Sequence, residues 1–199
     1  MTRETSRSKD SRDFVNSRDS SDDSHQIGEI RGEYYEITSL ISRDIIGETL
    51  CLAATKNSPS KSNHYKLVME HCRKIPEQRW RFSERDGYIH SGMDDHLCVV
   101  PNTDDTSSKR IRLILKECPS YRKEGFKWKF SQTDNENIVI MNGKTTSKGT
   151  TLVIEAARAV RRYQFSNKKD IIMVPTLATM ETRDKGQLWK INSKGRGQK

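Results

Sequence analysis

The chain has three tryptophans, and each stands in the same short phrase: WRFS at Trp80, WKFS at Trp128 and WKIN at Trp189. A cation follows each indole and an apolar residue follows each cation. In an extended chain, period-two alternation puts the ring and the apolar residue on one face and the cation on the other. The run FKWKFS, Phe126 to Ser131, carries the alternation through three rings and predicts a strand across that whole stretch. A single ribbon of rings and lysines would suit a nucleic acid. Recurrence along the chain suits an internally repeated fold instead.

The flanking segments repeat as well. Upstream of Trp80 lie LCLAA and YKLVMEHC; upstream of Trp128 lie LCVVP and IRLILKEC; upstream of Trp189 lie TLVIEA and DIIMVPT. The intervals are alike: Cys51 to Leu67 is 16, Cys98 to Leu113 is 15, and Val153 to Ile171 is 18. Each unit opens on a further short segment, YYEITSL at Tyr34, GYIHSG at Gly87 and NIVIMNG at Asn137. Four short strands per unit, three units and no sustained helical period predict an all-β domain. The units run approximately 31–86, 87–136 and 137–193, within a domain spanning 31–199. Closing such repeats into a barrel hides edges that would otherwise aggregate. Trp80, Trp128 and Trp189 are then core residues with Phe82, Phe130 and Ile191, while Arg81, Lys129 and Lys190 face solvent.

Hydrophobic residues make up 32% of the chain, charged residues another 32%, and mean hydropathy is −0.88, so not all of it can belong to a packed core. Residues 1–30 are the part expected to stay out. They are rich in Ser, Arg and Asp, with Phe14, Val15 and Ile27 as the strongly apolar residues before Ile30, and predict a disordered N-terminal arm. Within it, Ser20, Ser21 and Ser24 stand among acids, like substrates of an acidophilic kinase. No apolar run suggests a secretory leader or a membrane span, which sets the expectation of an intracellular protein with four free, buried thiols.

The net charge of +9 is uneven. Residues 1–30 carry five Lys and Arg against seven Asp and Glu, whereas residues 151–199 carry eleven against four. Arg158, Arg161, Arg162, Lys168, Lys169, Lys194 and Arg196 therefore form a candidate basic face for a polyanion such as a sulfated glycan, a phosphate or a nucleic acid, or for an acidic protein partner.

A unit that reads LC-apolar, then LxxxxC, then QxW resembles those of the ricin B-type β-trefoil lectins. QRW stands at Gln78 to Trp80 and QLW at Gln187 to Trp189, with FKW in the middle copy. The resemblance implies a β-trefoil of three four-stranded repeats and a non-catalytic carbohydrate-binding function, with a glycan or glycoconjugate as partner and no cofactor. It also implies that Cys51 with Cys72 and Cys98 with Cys118 are disulfides if the chain is oxidised. The family's sugar-binding acid falls at Ala53, Val100 and Glu155, so a carboxylate remains only in the third unit. The pocket residues implied are Glu155, Tyr163 and Gln187 there, and Tyr65, Glu77 and Gln78 in the first unit.

The stretch HSGMDDHLC gathers His90, Asp94, Asp95, His96 and Cys98, all metal-competent, but at a spacing that matches no zinc or calcium signature. It is read as a polar hairpin, and no metal site is expected. The chain also lacks GxSxG, HExxH and a phosphate-cradling glycine loop, so no enzymatic activity is expected.

Overall fold

The computed structural model describes residues 33–55, 64–103, 110–121, 124–133, 137–162, 169–181 and 184–193, leaving aside the side chains of 160–162, 169–171 and 193. The predicted arm lies outside the described residues. Among the described residues twelve strands follow one another: β1 (Tyr35–Ser39), β2 (Leu50–Ala54), β3 (Tyr65–His71), β4 (Trp80–Ser83), β5 (Tyr88–Ser91), β6 (Leu97–Pro101), β7 (Ile111–Glu117), β8 (Trp128–Gln132), β9 (Ile138–Thr145), β10 (Thr151–Arg162), β11 (Lys169–Thr179) and β12 (Trp189–Ser193). One short helix, α1 (Ile41–Ile46), interrupts the β pattern between β1 and β2. Among the described residues no helix is long and apolar enough to cross a membrane.

Six strands close a barrel. β1 pairs with β4 and β12, β4 with β5, β8 with β9, and β9 with β12. The Trp128 amide donates to the Gly87 carbonyl at 2.8 Å and joins β8 to the start of β5. The other six strands form three hairpins, β2–β3, β6–β7 and β10–β11, held together where β7 pairs with both β3 and β11.

The three indoles make the same bond. Trp80 Nε1–H donates to the Leu52 carbonyl at 2.9 Å, Trp128 to Val99 at 2.9 Å and Trp189 to Ile154 at 3.0 Å. Each therefore ties a barrel strand to a hairpin strand, and each is at most 1% exposed. The cations behave as the alternation predicts where Lys129 and Lys190 are exposed. Arg81 departs from it, because its guanidinium is drawn down to both carboxylate oxygens of Asp95 at 2.5 Å. Phe82 and Phe130 meet edge to face, 4.8 Å between centroids, beside Ile191 at one end of the barrel.

Two expectations are corrected. Strand β8 begins at Trp128, because Glu124–Phe126 forms a 3-10 turn, and Phe126 packs in a second cluster with Tyr88, Cys98, Val100 and Ile114. The four cysteines are bonded in pairs, Cys51 to Cys72 and Cys98 to Cys118, and are not free thiols. Hairpin pairing brings the Cα atoms of each pair to 5.1 and 4.9 Å, within the span a disulfide needs.

Candidate functional site

Indole bonding defines which positions correspond. Leu52, Val99 and Ile154 accept from the three tryptophans, so the next residues, Ala53, Val100 and Glu155, occupy matching places. Strand register then gives each a cross-strand neighbour on the same face: Val68 opposite Ala53, Ile114 opposite Val100 and Thr176 opposite Glu155. Two of these pairs are apolar and the third is entirely polar. An acid and a hydroxyl have replaced what is elsewhere packing.

Glu155 and Thr176 are both buried, at 9% and 3% exposure. Glu155 Oε1 accepts from Arg110 Nη1 at 3.0 Å, while the buried Thr176 hydroxyl has no hydrogen-bond partner among the described residues. Burial pushes the Glu155 carboxyl above the ordinary carboxylate range; Arg110 opposes this, and Asp184 and Glu181 add to it. The floor is set by the 3-10 turn Lys185–Gln187. A Cβ on Gly186 would stand 3.0 Å from Asp184 Oδ1 and 3.4 Å from Glu155 Cγ, so glycine is what lets this turn lie against β10. The result is a buried acid with one guanidinium bonded to it and one unsatisfied hydroxyl on the neighbouring strand.

The amides of Gln78 and Gln187 are equally buried and equally engaged. Gln78 Oε1 accepts from the Arg73 amide and Nε2 donates to the His71 carbonyl, both at 2.6 Å. Gln187 does the same with Glu181 N–H and the Thr179 carbonyl, both at 2.8 Å. Each glutamine thus clamps the end of a hairpin strand to the turn that precedes a tryptophan. Glu77 is buried at the position that Gly186 takes in the other turn. Tyr65 is partly buried and packs on the main core.

The third hairpin is longer than sequence spacing suggested. Leu52 lies opposite Met69, Val99 opposite Leu115 and Ile154 opposite Leu177, which makes Pro175, not Ile171, the counterpart of Leu67 and Leu113. The extra length carries β10 and β11 outward to the Arg162–Lys169 pair. Tyr163 falls beyond that pair and lies outside the described residues. Of the basic face, Arg158 is exposed on β10. Arg161, Arg162 and Lys169 are placed by their backbone, and Lys168, Lys194 and Arg196 lie outside the described residues.

Sequence reasoning missed Thr176 and Arg110. A threonine in MVPT, aligned against valine and isoleucine in the other hairpins, was the available signal, but it needed the correct register.

Two tiers of strands, a closed barrel and three indole ties define a β-trefoil. Solved structures share this fold. The β-trefoil lectin of the Vibrio vulnificus hemolysin/cytolysin, determined with N-acetyl-D-lactosamine bound, superposes with a TM-score of 0.51 at 15% identity over 81% of this chain and 94% of that one. The designed threefold-symmetric protein ThreeFoil gives 0.53 at 12% identity over 79% and 96%. A mosquitocidal holotoxin gives 0.58 at 11% identity, covering 85% of this chain and 18% of that much longer one. No family model matches the chain, and no curated protein matches it.

Proposed function

We propose that this protein is a carbohydrate-binding module with three four-stranded units, of which the third carries the working pocket. The observation that carries the reading is the Glu155–Thr176 pair. A buried carboxylate and an unsatisfied buried hydroxyl stand where the matching positions hold Ala53 with Val68 and Val100 with Ile114. Burying a hydroxyl unpaired costs free energy, so the Thr176 hydroxyl beside the buried Glu155 is explained by a ligand that completes its hydrogen bonding.

The chemistry suits sugar hydroxyls. The Glu155 carboxylate accepts from them, Thr176 both donates and accepts, and Arg110 keeps the carboxylate oriented through Oε1. The Gln187 clamp fixes the turn beside the acid, and Tyr163, in the segment joining β10 to β11, is the candidate ring for the sugar face. The Vibrio vulnificus lectin of the same fold, with its bound N-acetyl-D-lactosamine, supports a neutral glycan as the class of ligand.

A glycan array carrying neutral and sulfated sugars, read at low and high salt, tests this directly. Neutral-sugar signals that survive high salt, and that weaken about 10- to 100-fold in Glu155→Gln and in Thr176→Val, are expected from loss of a charge-assisted or buried hydrogen bond. Signals confined to sulfated glycans and erased by salt would refute the pocket and transfer binding to the basic residues around Arg158.

A further inference from the structure

The HSGMDDHLC stretch offers ligands whose spacing carries no signature, and the fold gives two of them a third partner. His90 on β5, Cys98 on β6 and Cys118 just after β7 converge, with His90 Nδ1 3.7 Å from Cys98 Sγ and 3.6 Å from Cys118 Sγ. His90 and Cys98 are buried and Cys118 is partly so. On the far side of the ring, Nε2 faces the Asp86 carboxylate at 3.3 and 3.4 Å. A carboxylate behind the outer nitrogen is the arrangement that orients metal-binding histidines and fixes their tautomer.

Tetrahedral zinc, with bonds of about 2.3 Å to sulfur and about 2.0 Å to nitrogen, needs N···S edges of about 3.6 Å and an S···S edge of about 3.8 Å. Both N···S edges of this cluster already have that length. The bond between the sulfurs and the hydrogen bond of Nδ1 to the Asp95 carbonyl stand in the way. Among the described residues no other group of three His, Cys or carboxylate side chains comes together in this manner.

We propose that reducing the Cys98–Cys118 disulfide turns this cluster into a binding site for zinc or a similar thiolate-seeking divalent cation, with water as fourth ligand. Two equivalents of a thiol such as glutathione supply the two electrons; the protein disulfide becomes two thiols and the glutathione becomes its own disulfide. Each cysteine releases its proton to solvent as its sulfur binds, and the cation keeps its oxidation state. His90 gives up the bond from Nδ1 to the Asp95 carbonyl, now 2.7 Å, and the ring proton held there is exchanged through solvent to Nε2, where Asp86 accepts it, which leaves the Nδ1 lone pair for the cation. The cation would thus replace one covalent tie between β6 and β7 with another.

The test uses the full chain, reduced with a phosphine that is then removed without oxygen, and titrated with cobalt(II) as the probe. One equivalent should bring up thiolate-to-cobalt charge-transfer and tetrahedral ligand-field bands, which zinc then bleaches and which the oxidised chain never shows. Cys118→Ser should lose about half the charge-transfer intensity, one of the two thiolates that tetrahedral coordination needs here. Asp86→Asn should keep the spectrum and weaken affinity about 10- to 100-fold. The paired change Cys51→Ser with Cys72→Ser should leave the bands unchanged. No bands in a reduced chain that keeps its circular dichroism would overturn the proposal. So would charge-transfer bands that keep their full intensity in Cys118→Ser, or a reduced chain that unfolds and is not rescued by cobalt or zinc.

Discussion

Replacing Trp128 by phenylalanine removes one specific thing, the indole N–H that reaches the Val99 carbonyl at 2.9 Å in a site that is 1% exposed. Leaving a buried carbonyl short of a donor costs about 1–3 kcal/mol. The phenyl ring is roughly 40 Å³ smaller, which at about 24 cal/mol per Å³ of cavity adds about 1 kcal/mol. Trp128→Phe should therefore destabilise by about 2–4 kcal/mol, and Trp80→Phe and Trp189→Phe by similar amounts, since their bonds are 2.9 and 3.0 Å in equal burial. Urea unfolding followed by circular dichroism, fitted with a common m-value, measures all three. Lys129→Ala, one residue on and exposed, is the control and should stay within about 0.5 kcal/mol. Costs below about 1 kcal/mol, or a single tryptophan unlike the other two by more than about 1.5 kcal/mol, would refute the claim that three equivalent ties hold hairpins to barrel.

Gln78→Ala removes two backbone hydrogen bonds in a buried clamp and should cost about 2 kcal/mol in thermal or urea unfolding, since each such bond is worth about 1 kcal/mol. Glu155 is pushed up chiefly by burial, so folding binds its proton more tightly than the unfolded chain does. Its stabilising contribution is present in acid, below its unfolded-state value, and disappears as pH rises through its higher folded-state value. Glu155→Gln should accordingly match or exceed the parent melting temperature at neutral pH and lose that advantage in acid, while losing glycan binding. A variant less stable at neutral pH than in acid, relative to the parent, would count against this sign. Gly143→Ala drives a Cβ to 2.5 Å from the Glu124 carbonyl oxygen and should cost about 1–3 kcal/mol by thermal melting, more than the same change at Gly149, where nothing lies within 4 Å but the φ of 77° is itself strained.

The strands were legible because their signal is local. Period-two alternation around Trp80, Trp128 and Trp189 needs only the residues on either side, and burial of the rings follows from it. Phe126 shows the limit of that signal. It continues the alternation by spelling, but the backbone turns at Glu124–Phe126 and sends the ring into a different cluster. Thr176 and Arg110 were not legible because the site is made across strands, and a register set by hairpin length decides who faces Glu155. Spacing placed Ile171 where Leu67 stands, four residues away from the true counterpart Pro175.

The sequence by itself determined the all-β class, the threefold recurrence of the tryptophans and the position of the surviving acid at 155, because each is carried by identity and short-range period. Tertiary structure alone decided that Gln78 and Gln187 are clamps, that His90 stands over a disulfide and that Glu155 lies across from an unsatisfied hydroxyl. Those facts depend on which strands lie side by side, and pairing is a property of the closed barrel and its three hairpins, not of any single segment.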